Sequence, residues 1–248
     1  MSGLHGRRAL VTGGASGIGA ACARHLAARG AHVTVADVDA DGAQAVADEI
    51  GGTAWVVDLL DVDALESLEL DVDILVNNAG IQKVAPIEEF EPKQFRLLMT
   101  LMTEAPFLLV RACLPHMYRQ NYGRIVNVSS VHGLRASPYK VAYVTAKHAV
   151  EGMSKVTAIE GGPHGVTSNC VNPGYVRTPL VENQIADQAA AHGISADEVL
   201  AKVMLTESAI KRLVEPDEVA SLVGWLSSED AGMVTGASYT MDGGWSAR

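Results

Sequence analysis

A serine, a tyrosine and a lysine, Ser130, Tyr143 and Lys147 in the stretch SSVHGLRASPYKVAYVTAKHAV, supply a hydroxyl, a phenol and an ammonium at close spacing. Such groups can hand a proton to a carbonyl being reduced, or take one from an alcohol being oxidised. Tyr143 and Lys147 are i and i+4 in a segment that reads as a helix, so both side chains leave one face. A phenol with an ordinary pKa of about 10 is a poor base near neutrality, and an adjacent cation favours the phenolate. The spacing therefore predicts that Lys147 draws the Tyr143 pKa down. Tyr-x-x-x-Lys by itself is also the pattern of a solvated amphipathic pair, so the weight falls on the elements around it.

Those elements can be read outward from the three residues. Ser137 and Pro138 predict a helix N-terminus, as cap and first helical position, with Lys140, Tyr143 and Lys147 on one stripe. The run from Gly123 to Ser130 is β-branched after a turn glycine and reads as a buried strand ending in serines. Ser130 then lies at a strand's carboxyl end, where open α/β sheets carry their chemistry.

A second signal stands at the N-terminus. Arg8 to Thr12 is a short apolar run, followed by a turn with Gly13, Ser16, Gly17, Ile18 and Gly19 and by an alanine-rich helix reaching Gly30. Strand, glycine turn and helix in that order let backbone N–H groups and the helix N-terminus meet a pyrophosphate. The next strand, Ala31 to Ala36, ends at Asp37, whose carboxylate suits both ribose hydroxyls of an adenosine and repels a 2′-phosphate. No arginine follows, since Val38, Asp39 and Ala40 come next, so the expected cofactor is NAD. Further strands, Thr53 to Val57 and Val72 to Val76, end at Asp58 and at Asn77-Asn78-Ala79-Gly80. The interval Leu59 to Asp71 leaves space for only a stunted helix.

TGGASGIG from Thr12 to Gly19, NNAG from Asn77 to Gly80, the Ser130/Tyr143/Lys147 set and NPGYVRTP from Asn172 to Pro179 together resemble the short-chain dehydrogenase/reductase family over nearly the whole chain. The resemblance implies a doubly wound parallel sheet with helices on both faces, in one domain spanning residues 1–248. It implies that Tyr143 is the acid/base, that Ser130 binds the substrate oxygen, and that Lys147 holds the nicotinamide ribose. Asp58, Leu59, Asn78, Ala79, Gly80, Pro173, Gly174, Val176 and Thr178 join the glycine turn and Asp37 around the dinucleotide. A narrower likeness, to members acting on a small 3-hydroxy acid, rests on the segments around Gln82, His132, Lys140, Gln184 and Trp245. It implies that Gln82, His132, Lys140 and Gln184 grip a carboxylate, for which amide, imidazole and ammonium N–H groups are suitable donors. Taken alone, His132 reads as a structural histidine, Lys140 as a solvated lysine, and Gln82 and Gln184 carry no signal. The family's helical asparagine, a support for proton relay, aligns with Met102, a thioether that cannot donate.

Residues 179–213 interrupt the pattern. Ser195 and Glu198 form a capping box ahead of Val199, Leu200, Val203 and Met204, so two short helices joined at His192-Gly193 are expected, as a lid over the strand ends that carries Gln184. Whole-chain properties agree with an enzyme acting on small molecules: 248 residues, 48% hydrophobic content and a net charge of −10 argue against nucleic acid or an anionic membrane as partner. Cys22, Cys113 and Cys170 are isolated and no histidine spacing suits a metal, so neither disulfides nor metal ligation is expected. The sequence shows no leader and no apolar run of the roughly 20 residues needed to span a bilayer, so the expectation is a cytoplasmic protein, a homotetramer as is common in the family. Two other readings use the same residues: a 3-oxoacyl thioester reductase of this fold, and a non-enzymatic nucleotide-responsive binding protein.

Overall fold

The computed structural model describes residues 3–179, 181, 182, 185, 189 and 193–247. Short apolar runs that alternate with amphipathic segments form seven parallel strands: β1 Arg8–Thr12, β2 His32–Asp37, β3 Thr53–Val56, β4 Ile74–Asn77, β5 Gly123–Val128, β6 Val166–Pro173 and β7 Ser238–Met241. Their order is β3-β2-β1-β4-β5-β6-β7, with every neighbouring pair parallel. The central strands are apolar on both sides because helices cover both faces. One face packs under helices α1 Gly17–Ala28, α2 Ala40–Ile50 and a later helix, Pro216–Leu226, and the other under α3 Val62–Glu66 and α5 Ala105–Gln120. The chain leaves β1 toward β2 and β3, then returns to lay β4 on the other side of β1. That reversal opens a crevice at the carboxyl ends of β1 and β4, the place where doubly wound sheets bind ligands.

The short third helix is as the sequence predicts, five residues from Val62 to Glu66. Strand limits shift by a residue or two, β5 ending at Val128 rather than at Ser130. A larger difference lies at the helix that carries Tyr143. Helix α6 spans Val141–Gly161, and neither Ser137 nor Pro138 begins it. Pro138 and Tyr139 instead make a turn, with Tyr139 at φ 68° and its carbonyl accepting from Ala85 N at 3.0 Å. That bond ties the approach to α6 to the loop carrying Gln82, so tertiary pairing overrides the local N-terminal signal. Lys140 lies ahead of the helix and off the Tyr143–Lys147 stripe.

A second feature is the continuous helical run Pro92–Gln120, 29 residues, whose most apolar 18-residue window has a mean hydropathy of 1.6. Half of that window is buried: α4 Pro92–Met99, a π-helical turn Thr100–Glu104 and α5 bury Leu98, Met102, Leu109, Cys113 and Met117 in the protein core. The Ser195/Glu198 capping box is present and starts α7 Ala196–Val199, which passes into a second π-helical turn, Leu200–Met204. Val199 and Met204 face an apolar cluster with Ile185, Leu205 and Leu213, while Val203 is exposed. The joint at His192 lies partly outside the described residues. Helix α8, Pro216–Leu226, returns the chain to the first face.

Candidate active site

The crevice between β1 and β4 is a cavity of about 600 Å³. Its floor is a knot of polar main chain. Thr12 Oγ1 accepts from Asn78 N at 3.0 Å and Ala79 N at 3.1 Å, and Asn78 Nδ2 donates to the carbonyls of Thr12 and Gly13 at 2.9 and 3.1 Å. Gly13, at φ 62°, adopts a conformation that a side chain disfavours, and a Cβ there would stand 2.9 Å from Ala79 Cα. Gly13, Ser16, Gly17 and Ile18 line the cavity beside the N-terminus of α1. Gly19 does not line it. Its missing Cβ lets α1 sit on the Gly13 carbonyl, so its part is to shape the turn rather than to touch a ligand.

Asp37, Asp58 and Leu59 line one end of the cavity. Backbone amides fix both oxygens of Asp37, Ala15 N donating to Oδ2 at 3.0 Å and Asp39 N to Oδ1 at 3.1 Å. Asn78, Ala79 and Gly80 form the middle, and Pro173, Gly174, Val176 and Thr178 the opposite wall. Glycines without room for a Cβ, a free helix N-terminus and a fixed carboxylate are the parts a dinucleotide requires, so the residues present fit that group.

Ser130, Tyr143 and Lys147 meet at the other end of the same cavity. Ser130 is buried, and its Oγ accepts from His132 N at 3.2 Å. The Tyr143 phenol is pushed up by burial, and its hydrogen bond with Ser130 is the influence that lowers it. The depression by Lys147 that the spacing predicts is therefore not what this arrangement delivers. Lys147 Nζ donates to the Val128 carbonyl at 2.7 Å and stands 5.6 Å from the centre of the tyrosine ring. Burial also lowers Lys147 itself, to about 8, with Cys170 and Glu151 acting in the opposite direction.

Beyond the triad a smaller cavity of about 160 Å³ opens. Gln82, Ser130, His132, Lys140 and Tyr143 line it, so three of the four predicted carboxylate-binding groups, Gln82, His132 and Lys140, converge beside Ser130 and Tyr143 although Lys140 is not helical. Gln184 lies outside the described residues. Lys140 Nζ is 3.2 Å from His132 Nε2, so the ammonium donates to a neutral imidazole. Burial, and then the Lys140 charge, bring His132 down to about 4. The wall also includes Tyr175, Val181, Ser208, Asp242 and Trp245, the last with no role assigned from the sequence. Asp242 accepts from Gly244 N and Ser246 N, both at 2.9 Å, and this cap turns Trp245 edge-on to His132 with ring centres 5.7 Å apart.

Met102 is fully buried with Leu98, Ala142 and Ala146 against the half-buried Tyr143. A side-chain relay through this position has no donor. The buried Glu151 behind the triad carries no signal in the sequence, since one glutamate on a 21-residue helix reads as part of a solvated face, and Asn172 enters there only as the first residue of NPGYVRTP, with no role of its own.

Known proteins resemble this chain over nearly its whole length. A family model described as enoyl-(acyl carrier protein) reductase matches residues 13–246. A D-beta-hydroxybutyrate dehydrogenase of Rhizobium meliloti is 40% identical, covering 98% of this chain and 99% of that one. One from Cupriavidus necator is 42% identical over 99% of this chain and all of its own. A 3-alpha-(or 20-beta)-hydroxysteroid dehydrogenase of Mycobacterium bovis is 34% identical over 98% of this chain. Among solved structures, an Agrobacterium tumefaciens protein provisionally assigned as a 2-deoxy-D-gluconate 3-dehydrogenase, with bound NADP, superposes with a TM-score of 0.87 at 33% identity, covering 99% of this chain and 98% of its own. With the fold, the glycine-lined crevice and these full-length matches in agreement, the chain belongs to the short-chain dehydrogenase/reductase family, as a dinucleotide-dependent oxidoreductase.

Proposed function

We propose that this enzyme interconverts D-3-hydroxybutyrate and acetoacetate with NAD. One observation carries the reading: the Ser130–Tyr143–Lys147 end of the dinucleotide crevice opens into a small cavity lined by Lys140, His132 and Gln82. A cavity of about 160 Å³ is small beside the roughly 300–1,000 Å³ of sites for drug-sized ligands, which favours a four-carbon acid over a steroid. Such an acid buries little apolar surface, so its carboxylate must be recognised by charge-assisted and neutral N–H donors, Lys140 first, with the amides of Gln82 and Gln184 as further donors.

Bound NAD would supply the hydride acceptor, and the protein's part is orientation and proton transfer. Ser130 Oγ and the Tyr143 phenol hold the substrate hydroxyl, Tyr143 takes its proton, and Lys147 steadies the ribose and the developing phenolate. Asp37 supports NAD over NADP because no cation follows it, although the Agrobacterium neighbour holds NADP. The whole chain acts as one catalytic domain, with residues 179–213 as a lid that excludes water during transfer. The protein works in the cytoplasm as a homotetramer, with no nucleic acid or membrane partner.

Initial rates with NAD and NADP, against both enantiomers of 3-hydroxybutyrate, longer hydroxy acids and a 3-oxoacyl thioester, test the reading. The D-enantiomer with NAD is expected to lead. A faster thioester, or a Tyr143→Phe variant that keeps the wild-type rate, would overturn it.

A further inference from the structure

Glu151 sits on α6 one turn after Lys147 and two after Tyr143, and only 4% of it is exposed. Burying an ionised carboxylate is costly unless hydrogen bonds and opposite charge meet it. Both oxygens of Glu151 act as acceptors, Oε2 from Ser238 Oγ on β7 at 2.6 Å and Oε1 from Asn172 Nδ2 on β6. The same Asn172 amide donates to the main-chain oxygen of Ser130 at 2.9 Å. Gly133 packs over the carboxylate, where a Cβ would stand 2.9 Å from Oε1. Both ends of the turn that presents Ser130 and His132 therefore rest on Glu151.

The groups around Lys147 narrow the matter further. Tyr143 and Glu151 approach it along α6, Cys170 from β6, and the Val128 carbonyl from the end of β5. The π-helical turn on the other side of α6 offers the thioether of Met102. Burial pushes the Cys170 thiol well up, so it stays uncharged near neutrality. Among these groups the carboxylate is the one able to hold a full negative charge there.

We propose that Glu151 is a positioning residue with two linked tasks: through Asn172 it fixes the Ser130–Gly133 turn, and it is the buried counter-charge that keeps Lys147 cationic while Tyr143 exchanges its proton. The proposal rests on the acid–base assignment of Tyr143 and Lys147. It fits a site in which burial draws Lys147 down to about 8 even with Glu151 acting in the opposite direction, so that losing this anion would bring the lysine's titration into the neutral range. Met102 leaves that support to the Glu151 side.

Competitive trace acetylation of the full-length protein, read lysine by lysine by mass spectrometry across pH, measures the Lys147 titration without any substrate. Glu151→Gln keeps the size of the side chain and removes its charge, and should lower the Lys147 midpoint by about one pH unit. The alkaline limb of the oxidation rate should move to lower pH by a similar amount. Should Glu151→Gln fail to bind dinucleotide or to fold by circular dichroism, Glu151→Asp, which withdraws the charge by one methylene, must move the midpoint the same way by less. A midpoint unmoved in the folded variant, or a rate that falls equally at every pH, overturns the counter-charge role. Absence of wild-type turnover on 3-hydroxybutyrate would sink the substrate assignment alone, since the labelling needs no substrate.

Discussion

His132 is held neutral by burial first and by the Lys140 ammonium second, which together bring its pKa to about 4 against an ordinary 6.5. Between those values the unfolded chain binds a proton that the folded chain refuses, so stability falls as pH drops from 6.5 through 4. The difference corresponds to an upper limit on the order of 3 kcal/mol. Urea unfolding of the wild type and His132→Asn at pH 7, 5.5 and 4 should give curves that converge as the pH falls, and parallel curves would show that the imidazole is not buried beside the lysine. Asp37 poses a simpler electrostatic test. Its oxygens are already fixed by Ala15 N and Asp39 N, so it presents its charge without rearranging. Asp37→Ser should shift the kcat/KM ratio of NAD to NADP toward NADP by at least about tenfold, a difference of ~1.4 kcal/mol. An unchanged preference would mean that the carboxylate does not set cofactor choice.

At the level of elements, the glycine turn joins sequence most directly to site. A Cβ at Gly19 would overlap the Gly13 carbonyl and crowd Asn78 Nδ2, which also bonds the Thr12 carbonyl. Gly19→Ala must therefore push α1 off the turn, at roughly 1–3 kcal/mol by overpacking. Because the turn itself moves, dinucleotide affinity should fall as well. Calorimetric binding that matches wild type would show that the helix can shift without disturbing the crevice. This turn was legible because strand, glycines and helix are contiguous in the chain, and β1 Arg8–Thr12 lies where its apolar run predicts. Buried parallel strands announce themselves in the same way, through short runs of Val, Ile and Leu. The start of α6 was not legible, since Ser137-Pro138 serves a turn as readily as a helix and the deciding bond, Ala85 N to Tyr139 O, joins distant segments. Lys140 illustrates the consequence: the sequence put it on the helical stripe, whereas it reaches His132 from the loop. Glu151 and Asn172 could not be paired from sequence because β6 meets α6 only in the folded chain.

For the molecule as a whole, α6 has two jobs on opposite sides. Its inner face bears Lys147 and Glu151, while Val156 and Ile159 stand 55% and 77% exposed toward its C-terminal half. Phe107 is 51% exposed on α5, so the two longest helices both leave large apolar side chains in water. With a net charge of −10, copies of this chain repel at long range, and association must draw on apolar contact. The proposed tetramer would cover these side chains, and it would also brace the helix that aims the acid–base pair. Val156→Glu with Ile159→Glu places two carboxylates on that face without touching the inner one. Sedimentation should then show the wild type at about four chain masses and the double variant at two or one, with a lower kcat but dinucleotide affinity within about threefold. A wild type that sediments as a monomer at micromolar concentration with full turnover would separate the site from any assembly, leaving the exposed apolar residues as surface alone.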